Sequence, residues 1–193
     1  LSRLHGESWR QFNSIVGLAE LRESVKSFGE DSDATRLNPS LTDTDPDDVF
    51  STVPYEKGYT FLYYLEELVG GGEIFEPFFK DFIQTFAGAS IDSEQFKDFI
   101  LRYFESHAAV NGKLQSVDWE NWLHGTGMPP YIPKYDDVLQ VPCKKLATDW
   151  IKLEDKRGDD RKRREAVFAG FSPAQKAMFL DALLVQVEQL SPS

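Results

Sequence analysis

Cysteine is the scarcest reactive residue in this chain: Cys143 stands alone among 193 residues. A single cysteine excludes an internal disulfide, so we expect a protein of the reducing cytoplasm. Cys143 follows Pro142 at a predicted helix start, where a thiolate would be stabilised. Unpaired cysteines are more often small buried side chains, and the sequence favours that interpretation.

Basic residues and long apolar runs are also in short supply. The chain has 21 Lys and Arg against 32 Asp and Glu, which gives a net charge of −11. This balance argues against nucleic acid or an anionic membrane as the main partner. No apolar run approaches the roughly 18 residues of a membrane-spanning helix, so none is predicted.

Motifs for zinc and for a serine nucleophile are missing. His5, His107 and His124 are scattered along the chain and form no His-Glu-x-x-His helix. Zinc sites need ligands at short, regular spacings, so each histidine is interpreted as a surface or linker residue. No Gly-x-Ser-x-Gly string occurs either, which removes the usual sign of a serine hydrolase. The chain alone therefore predicts no metal site.

An acidic segment begins like a calcium-binding loop but departs from it. Asp43, Asp45 and Asp47 have the alternation of such a loop. Asp48 stands where the loop requires glycine, and Pro54 stands where the closing glutamate belongs. We therefore reject calcium binding for this segment.

Helical periodicity dominates the rest of the sequence. Apolar residues recur at three-to-four spacing, most clearly from Phe75 to Phe86, and no alternating strand pattern is seen. Glycines end several stripes, as at Gly70 to Gly72. The dipeptide Asn111-Gly112 predicts a turn before a short helix around Trp119. The fold class is therefore all-α.

Two helices carry start signals. Asp92 and Gln95 have the spacing of a capping box. Ser172, Pro173 and Gln175 combine a cap, a first-turn proline and a capping-box glutamine. We expect helices to begin at both places.

A composition change divides the chain. Residues 124–136 hold two glycines and three prolines in thirteen positions, so they predict a stiff, extended linker rather than a helix. We predict a helical domain over residues 1–123 and the start of a second over 137–193. The chain begins without methionine and ends directly after an amphipathic helix. We therefore expect a piece of a longer protein.

The segment from Asp43 to Gly58 is the best candidate site. It takes an acidic, proline-stiffened loop into an aromatic helix, with Tyr55 at the junction. A tyrosine there would donate a hydrogen bond to a developing oxyanion, and Asp47 would activate water or bind a cation. On spacing alone, packing for Tyr55 and helix capping for Asp47 are the commoner roles, because aromatic rings mostly serve core packing and aspartates in turns usually cap helices. The residues alone leave both interpretations open.

The string from Val53 to Gly58, preceded by Asp45-Pro46-Asp47, resembles the zinc aminopeptidase family of gluzincins. The likeness is greatest to the leukotriene-A4 hydrolase and aminopeptidase B branch. It extends from Phe12-Asn13 through Val117 to Trp119 and Gly127 to Pro130, and it fades after about Trp150. The resemblance implies the C-terminal helical part of a thermolysin-like catalytic domain, a proline-rich linker and the start of an α-α superhelical domain.

The resemblance also implies site residues. Tyr55 matches the family tyrosine that hydrogen-bonds the tetrahedral intermediate of peptide hydrolysis, and Asp47 matches the aspartate that directs water to an opened epoxide. The family's hydrophobic substrate channel would be lined by Leu37, Leu41, Pro46, Phe50 and Pro54. Mammalian leukotriene enzymes carry a tyrosine at the position of Phe50, so the nucleophilic hydroxyl is missing here.

The implied cofactor is zinc, whose ligands would precede Leu1. The implied substrates are peptides, cleaved at the N-terminus, and a lipid epoxide. We therefore expect a fragment of a cytoplasmic bifunctional enzyme that is inactive by itself. Two rivals are an aminopeptidase without lipid activity, which Phe50 favours, and a non-catalytic helical interaction module.

Overall fold

The computed structural model describes residues 2–40, 45, 47, 50–152 and 158–190. Within these residues every regular element is helical and no strand occurs, which confirms the all-α prediction. The α-helices are α1 (Ser2–His5), α2 (Glu7–Phe28), α3 (Val53–Val69), α4 (Gly72–Thr85), α5 (Ser93–Tyr103), α6 (Ala108–Gln115), α7 (Trp119–His124), α8 (Val141–Ile151), α9 (Gly158–Gly170) and α10 (Pro173–Leu190). A short 3-10 turn spans Asp33–Thr35.

The chain forms two compact units. The larger comprises Gly17–Lys134, and the smaller combines Leu1–Val16 with Tyr135–Ser193. The domain boundaries proposed from the sequence stay a prediction. Among the described residues, no helix is both long and apolar enough to cross a bilayer.

Aromatic side chains build the core of the larger unit. Phe78 of α4 is fully buried, and its ring lies 5.4 Å from Tyr103 and 5.7 Å from Phe104, measured between centroids. Phe61 of α3 stacks on Trp122 at 4.7 Å. Aromatic pairs at these distances add to the stabilisation from burial alone. The phenylalanines of the stripe from Phe75 to Phe86 therefore pack as their periodicity predicted, whereas Ile83 of the same stripe is exposed.

Helix ends follow the predicted signals. Gly70 ends α3 with φ of +116°, a left-handed conformation that glycine adopts without steric cost. The Asp92 carboxylate accepts the Gln95 N–H at 2.8 Å, and the Gln95 side chain accepts the Asp92 N–H at 3.0 Å. Ser172 and Gln175 exchange the same pair of bonds before α10, at 3.2 Å each. Both capping boxes are confirmed.

The turn predicted at Asn111-Gly112 is wrong. Both residues lie inside α6, which runs from Ala108 to Gln115. Leu114 on the same helix is fully buried in the aromatic core. Glycine in a helix costs about 1 kcal/mol relative to alanine, which is less than burying a leucine returns. Tertiary packing therefore overrides the local turn signal.

The smaller unit has its own core. Phe179 of α10 packs with Trp150 and Phe168, at centroid distances of 5.5 and 5.2 Å. Cys143 is fully buried in this cluster, and its thiol donates to the Leu139 carbonyl at 3.3 Å. Burial raises the pKa of the Cys143 thiol, so the side chain is a buried hydrophobe rather than a reactive thiolate.

Candidate active site

The first turn of α3 positions the main candidate. Val53 is fully buried, and the Tyr55 and Glu56 N–H groups donate to the Thr52 carbonyl at 3.1 and 2.9 Å. Pro54 lies in this first turn, where its fixed φ suits the helix and no intrahelical N–H is required. The Thr52 hydroxyl lies 2.8 Å from the Ser24 hydroxyl of α2, within hydrogen-bonding distance. The turn is thus fixed from both sides.

Tyr55 itself points outward from this turn. Its side chain is 65% exposed, and that of Phe50 is 77% exposed. Both line a shallow depression of about 440 Å³, together with Ser24, Ser27, Phe28, Ser51 and Thr52. The Tyr55 hydroxyl is therefore accessible to a bound molecule. The packing interpretation of Tyr55 finds no support in this exposure.

Asp47 lies in the loop that leads to the depression. It is exposed, its N–H donates to the Asp45 carboxylate at 3.0 Å, and its carbonyl accepts from the Phe50 N–H at 3.4 Å. Through this bond the loop connects Asp47 to Phe50, which borders the depression. Two further predicted channel residues, Leu41 and Pro46, lie outside the described residues.

Leu37 occupies a different place from Tyr55. It borders an apolar groove of about 640 Å³, whose other lining residues include Gly58, Phe61, Phe82 and Phe96. Pro54 is exposed in the first turn of α3. The structure therefore brings Phe50 and Tyr55 together in one depression and places Leu37 in a second groove.

Lys57 is a feature that the sequence interpretation did not single out. Its side chain is 1% exposed, although lysine is seldom buried. Burial lowers the pKa of the Lys57 amine to about 8, and the nearby Arg36 adds to this effect. The signal available in the sequence was its spacing, because Lys57 lies four residues after buried Val53 and four before buried Phe61. A lysine in an apolar stripe requires polar partners inside the protein.

Glu56 is the third ionisable residue of this turn. It is half-buried, and burial followed by the charge of Glu20 raises the pKa of its carboxyl. The carboxylate lies over Gly17 of α2, where a methyl group would overlap it. Glycine at position 17 thus provides the space for this side chain.

A metal site cannot be built from the described side chains. No three His, Cys, Asp or Glu residues among them are close enough to hold an ion. Zinc therefore does not fit the residues that this part of the chain provides. The site does offer the accessible Tyr55 hydroxyl at the start of α3 and the exposed Asp47 carboxylate in the preceding loop.

Comparison with known proteins identifies the family. Residues 4–122 match the Peptidase family M1 domain. The chain is 46% identical over 153 residues to leukotriene A-4 hydrolase of Xenopus laevis, covering 79% of this chain and 25% of that protein. It is 40% identical over 189 residues to leucine aminopeptidase 2 of Aspergillus clavatus, covering 98% of this chain and 30% of that protein.

A solved structure agrees with these matches. Native yeast LTA4 hydrolase superposes with a TM-score of 0.85 at 34% identity, covering 94% of this chain and 29% of the yeast chain. The chain thus spans between a quarter and a third of the relatives that it matches. The resemblance first seen from Val53 to Gly58 is confirmed: the chain belongs to peptidase family M1.

Proposed function

We propose that this chain contributes the tyrosine side of the active site of an M1 aminopeptidase. The observation that carries the proposal is Tyr55, an exposed phenol on a helix turn whose backbone is held firmly in place. Membership of family M1 and the aminopeptidases among the relatives support a hydrolase that acts on peptides. The activity of the whole protein follows from them only as a proposal.

In this proposal Tyr55 acts in the transition state. Attack of water on the carbonyl carbon of the first peptide bond turns the carbonyl oxygen into an oxyanion. The Tyr55 O–H donates a hydrogen bond to that oxyanion. A donor aimed at developing charge is worth about 3–4 kcal/mol, because the bond strengthens as the charge forms. The exposure of Tyr55 leaves its hydroxyl able to reach such an oxygen.

The zinc of this enzyme class would be held by residues other than those that the structure describes. No set of metal ligands occurs among the described residues, so the chain supplies the transition-state donor and part of the substrate surface. We accordingly expect the chain by itself to be inactive. Activity is to be measured in the full-length enzyme.

The decisive experiment is Tyr55→Phe in the full-length enzyme, which removes the hydroxyl and keeps the ring. We expect kcat for an arginyl-anilide to fall by about 100- to 1000-fold with little change in KM, as for loss of a transition-state donor. Tyr59→Phe, one turn further along α3, is the matched control. An unchanged kcat in Tyr55→Phe would remove Tyr55 from the mechanism.

A more specific proposal is that the full-length enzyme also hydrolyses a lipid epoxide. In that reaction Asp47 would direct water to the opened epoxide. Some relatives are named leukotriene A-4 hydrolase and others leucine aminopeptidase, so the relatives support the family but do not choose between the two activities. Phe50 favours the simpler aminopeptidase, because it keeps an apolar ring beside Tyr55 and carries no nucleophilic hydroxyl. Turnover of a leukotriene epoxide by the full-length enzyme decides between the two.

A further inference from the structure

Lys57 uses all three of its ammonium protons inside the protein. Its Nζ donates to the Thr35 carbonyl at 2.9 Å, to the Gly125 carbonyl at 2.8 Å and to the Gly127 carbonyl at 3.0 Å. A protonated lysine has three donors and no acceptor, so this set of partners satisfies it completely. Charged hydrogen bonds of this kind are stronger than neutral ones.

These bonds join three distant parts of the larger unit. Thr35 ends the 3-10 turn after α2, and Gly125 and Gly127 follow α7. Thr35 adds a further link, because its hydroxyl accepts the Gly127 N–H at 2.7 Å and donates to the Ser32 carbonyl at 2.6 Å. Thr35 is fully buried, so water cannot replace these bonds. The start of α3 is thereby attached to the 3-10 turn and to the segment that follows α7.

Tyr55 cannot be positioned by its own packing, since most of its side chain is exposed. The backbone of the first turn of α3 therefore decides where the Tyr55 side chain leaves the helix. Lys57 follows that turn directly, two residues after Tyr55, and its ammonium makes three hydrogen bonds. We propose that Lys57 is a positioning residue whose three carbonyl contacts fix the Tyr55 hydroxyl for the reaction. This inference rests on the function proposed above for Tyr55.

The amine is suited to this role at neutral pH. With a pKa of about 8, Lys57 remains mostly protonated at pH 7 and keeps all three donors. The neutral amine would have two donors for three carbonyls, so one carbonyl would lose its partner. The positive charge of nearby Arg36 favours loss of the Lys57 proton, because it lowers the pKa of the amine.

The test is Lys57→Met in the full-length enzyme, which keeps the apolar stem and removes the ammonium. We expect kcat to fall by about 10- to 100-fold with KM changed less than about twofold, as for a misplaced catalytic group. Lys80→Met, at an exposed lysine of α4, is the matched control and should leave kcat unchanged. A normal kcat in Lys57→Met would overturn the inference.

A double-mutant cycle separates positioning from general structural damage. If Lys57 acts through the Tyr55 hydroxyl, Lys57→Met should cause no further loss of kcat in a Tyr55→Phe background. Losses that multiply would show that Lys57 acts elsewhere and would overturn the inference. If Tyr55→Phe alone has no effect, the proposed function of Tyr55 fails, and the positioning role fails with it.

A milder pair of variants keeps the test informative if Lys57→Met does not fold. Thr35→Val has a similar volume but loses the hydroxyl that binds the Gly127 N–H, while Thr35→Ser retains it. We expect Thr35→Val to lower kcat by about 3- to 10-fold, again only when Tyr55 is present, in keeping with one lost contact of the set. Thr35→Ser should stay near wild type. Equal kcat values for the two variants would overturn the inference.

Discussion

The two ends of α3 are held by different kinds of interaction. At the start of α3, besides buried Val53, the contacts are polar and directional: Ser24 meets Thr52, and Lys57 meets three carbonyls. Further along, Phe61 stacks on Trp122, and Leu65 is fully buried among apolar side chains. Apolar packing supplies most of the stability and is non-directional, whereas hydrogen bonds constrain both the distance and the angle between two groups. Tyr55, the tyrosine proposed to act in the reaction, lies at the polar end.

The largest effect should come from breaking the apolar end. Leu65→Ala deletes a fully buried side chain, and we expect a loss of about 3 kcal/mol in unfolding free energy, measured by urea denaturation of the full-length enzyme. The kcat of the folded enzyme should change little, because the Tyr55 turn has separate contacts. Ile83→Ala, at an exposed position of α4, controls for loss of apolar volume. A fall in kcat as large as that in Lys57→Met would break the distinction between the two ends.

A second effect should appear as a pH dependence of stability at the polar end. The pKa of Lys57 is about 8 in the folded state, and its ordinary value is 10.5. At pH values between these two, the unfolded chain therefore binds more protons than the folded chain. The unfolding free energy should therefore rise with pH across this window, by up to about 3 kcal/mol, because each pKa unit corresponds to about 1.4 kcal/mol. Below pH 8 both states are protonated, and the contribution is constant.

The measurement compares wild type with Lys57→Met by urea denaturation at several values from pH 7.5 to 10. The difference between the two proteins isolates Lys57, since other titrating groups contribute equally to both. Parallel curves would mean that the buried amine keeps an ordinary pKa, and that its three carbonyls offset the cost of burial.

The smallest effect should follow from the contact between α2 and α3. Ser24→Ala removes the hydroxyl that meets Thr52, and we expect a loss of about 1 kcal/mol, since both residues are partly exposed. Ser27→Ala, at an exposed position of the same helix, should change stability by less than about 0.5 kcal/mol. If the two variants proved equally stable, Ser24 would be no part of what holds the turn.

The sequence predicted those parts of the fold that depend on local signals. The stripe from Phe75 to Phe86 and the capping box at Asp92 and Gln95 both involve residues within a few positions of each other. The Asn111-Gly112 prediction was wrong because burial of Leu114, which no local pattern measures, decided the outcome. Local chemistry is thus sufficient until long-range packing opposes it.

The candidate site shows the same division. The junction of loop and helix at Tyr55 followed from proline and periodicity, and the family resemblance was carried by the string around it. The partners of Lys57 could not be predicted, because they lie 22, 68 and 70 residues away. The separate groove of Leu37 likewise depends on how α3, α4 and α5 meet. Both are properties of the tertiary structure.

One consequence of the Lys57 contacts concerns tolerance to substitution. All three acceptors of Lys57 are main-chain carbonyl oxygens, so a substitution at position 35, 125 or 127 does not remove the acceptor atom itself. What such exchanges alter is the path of the backbone. Gly127 has φ of +70°, and a methyl group there would lie 3.2 Å from the Glu30 carbonyl oxygen. A library built around this site would therefore retain the lysine, Thr35 and both glycines, because the Thr35 hydroxyl binds the Gly127 N–H and a methyl group at position 125 would overlap the Asn121 carbonyl oxygen.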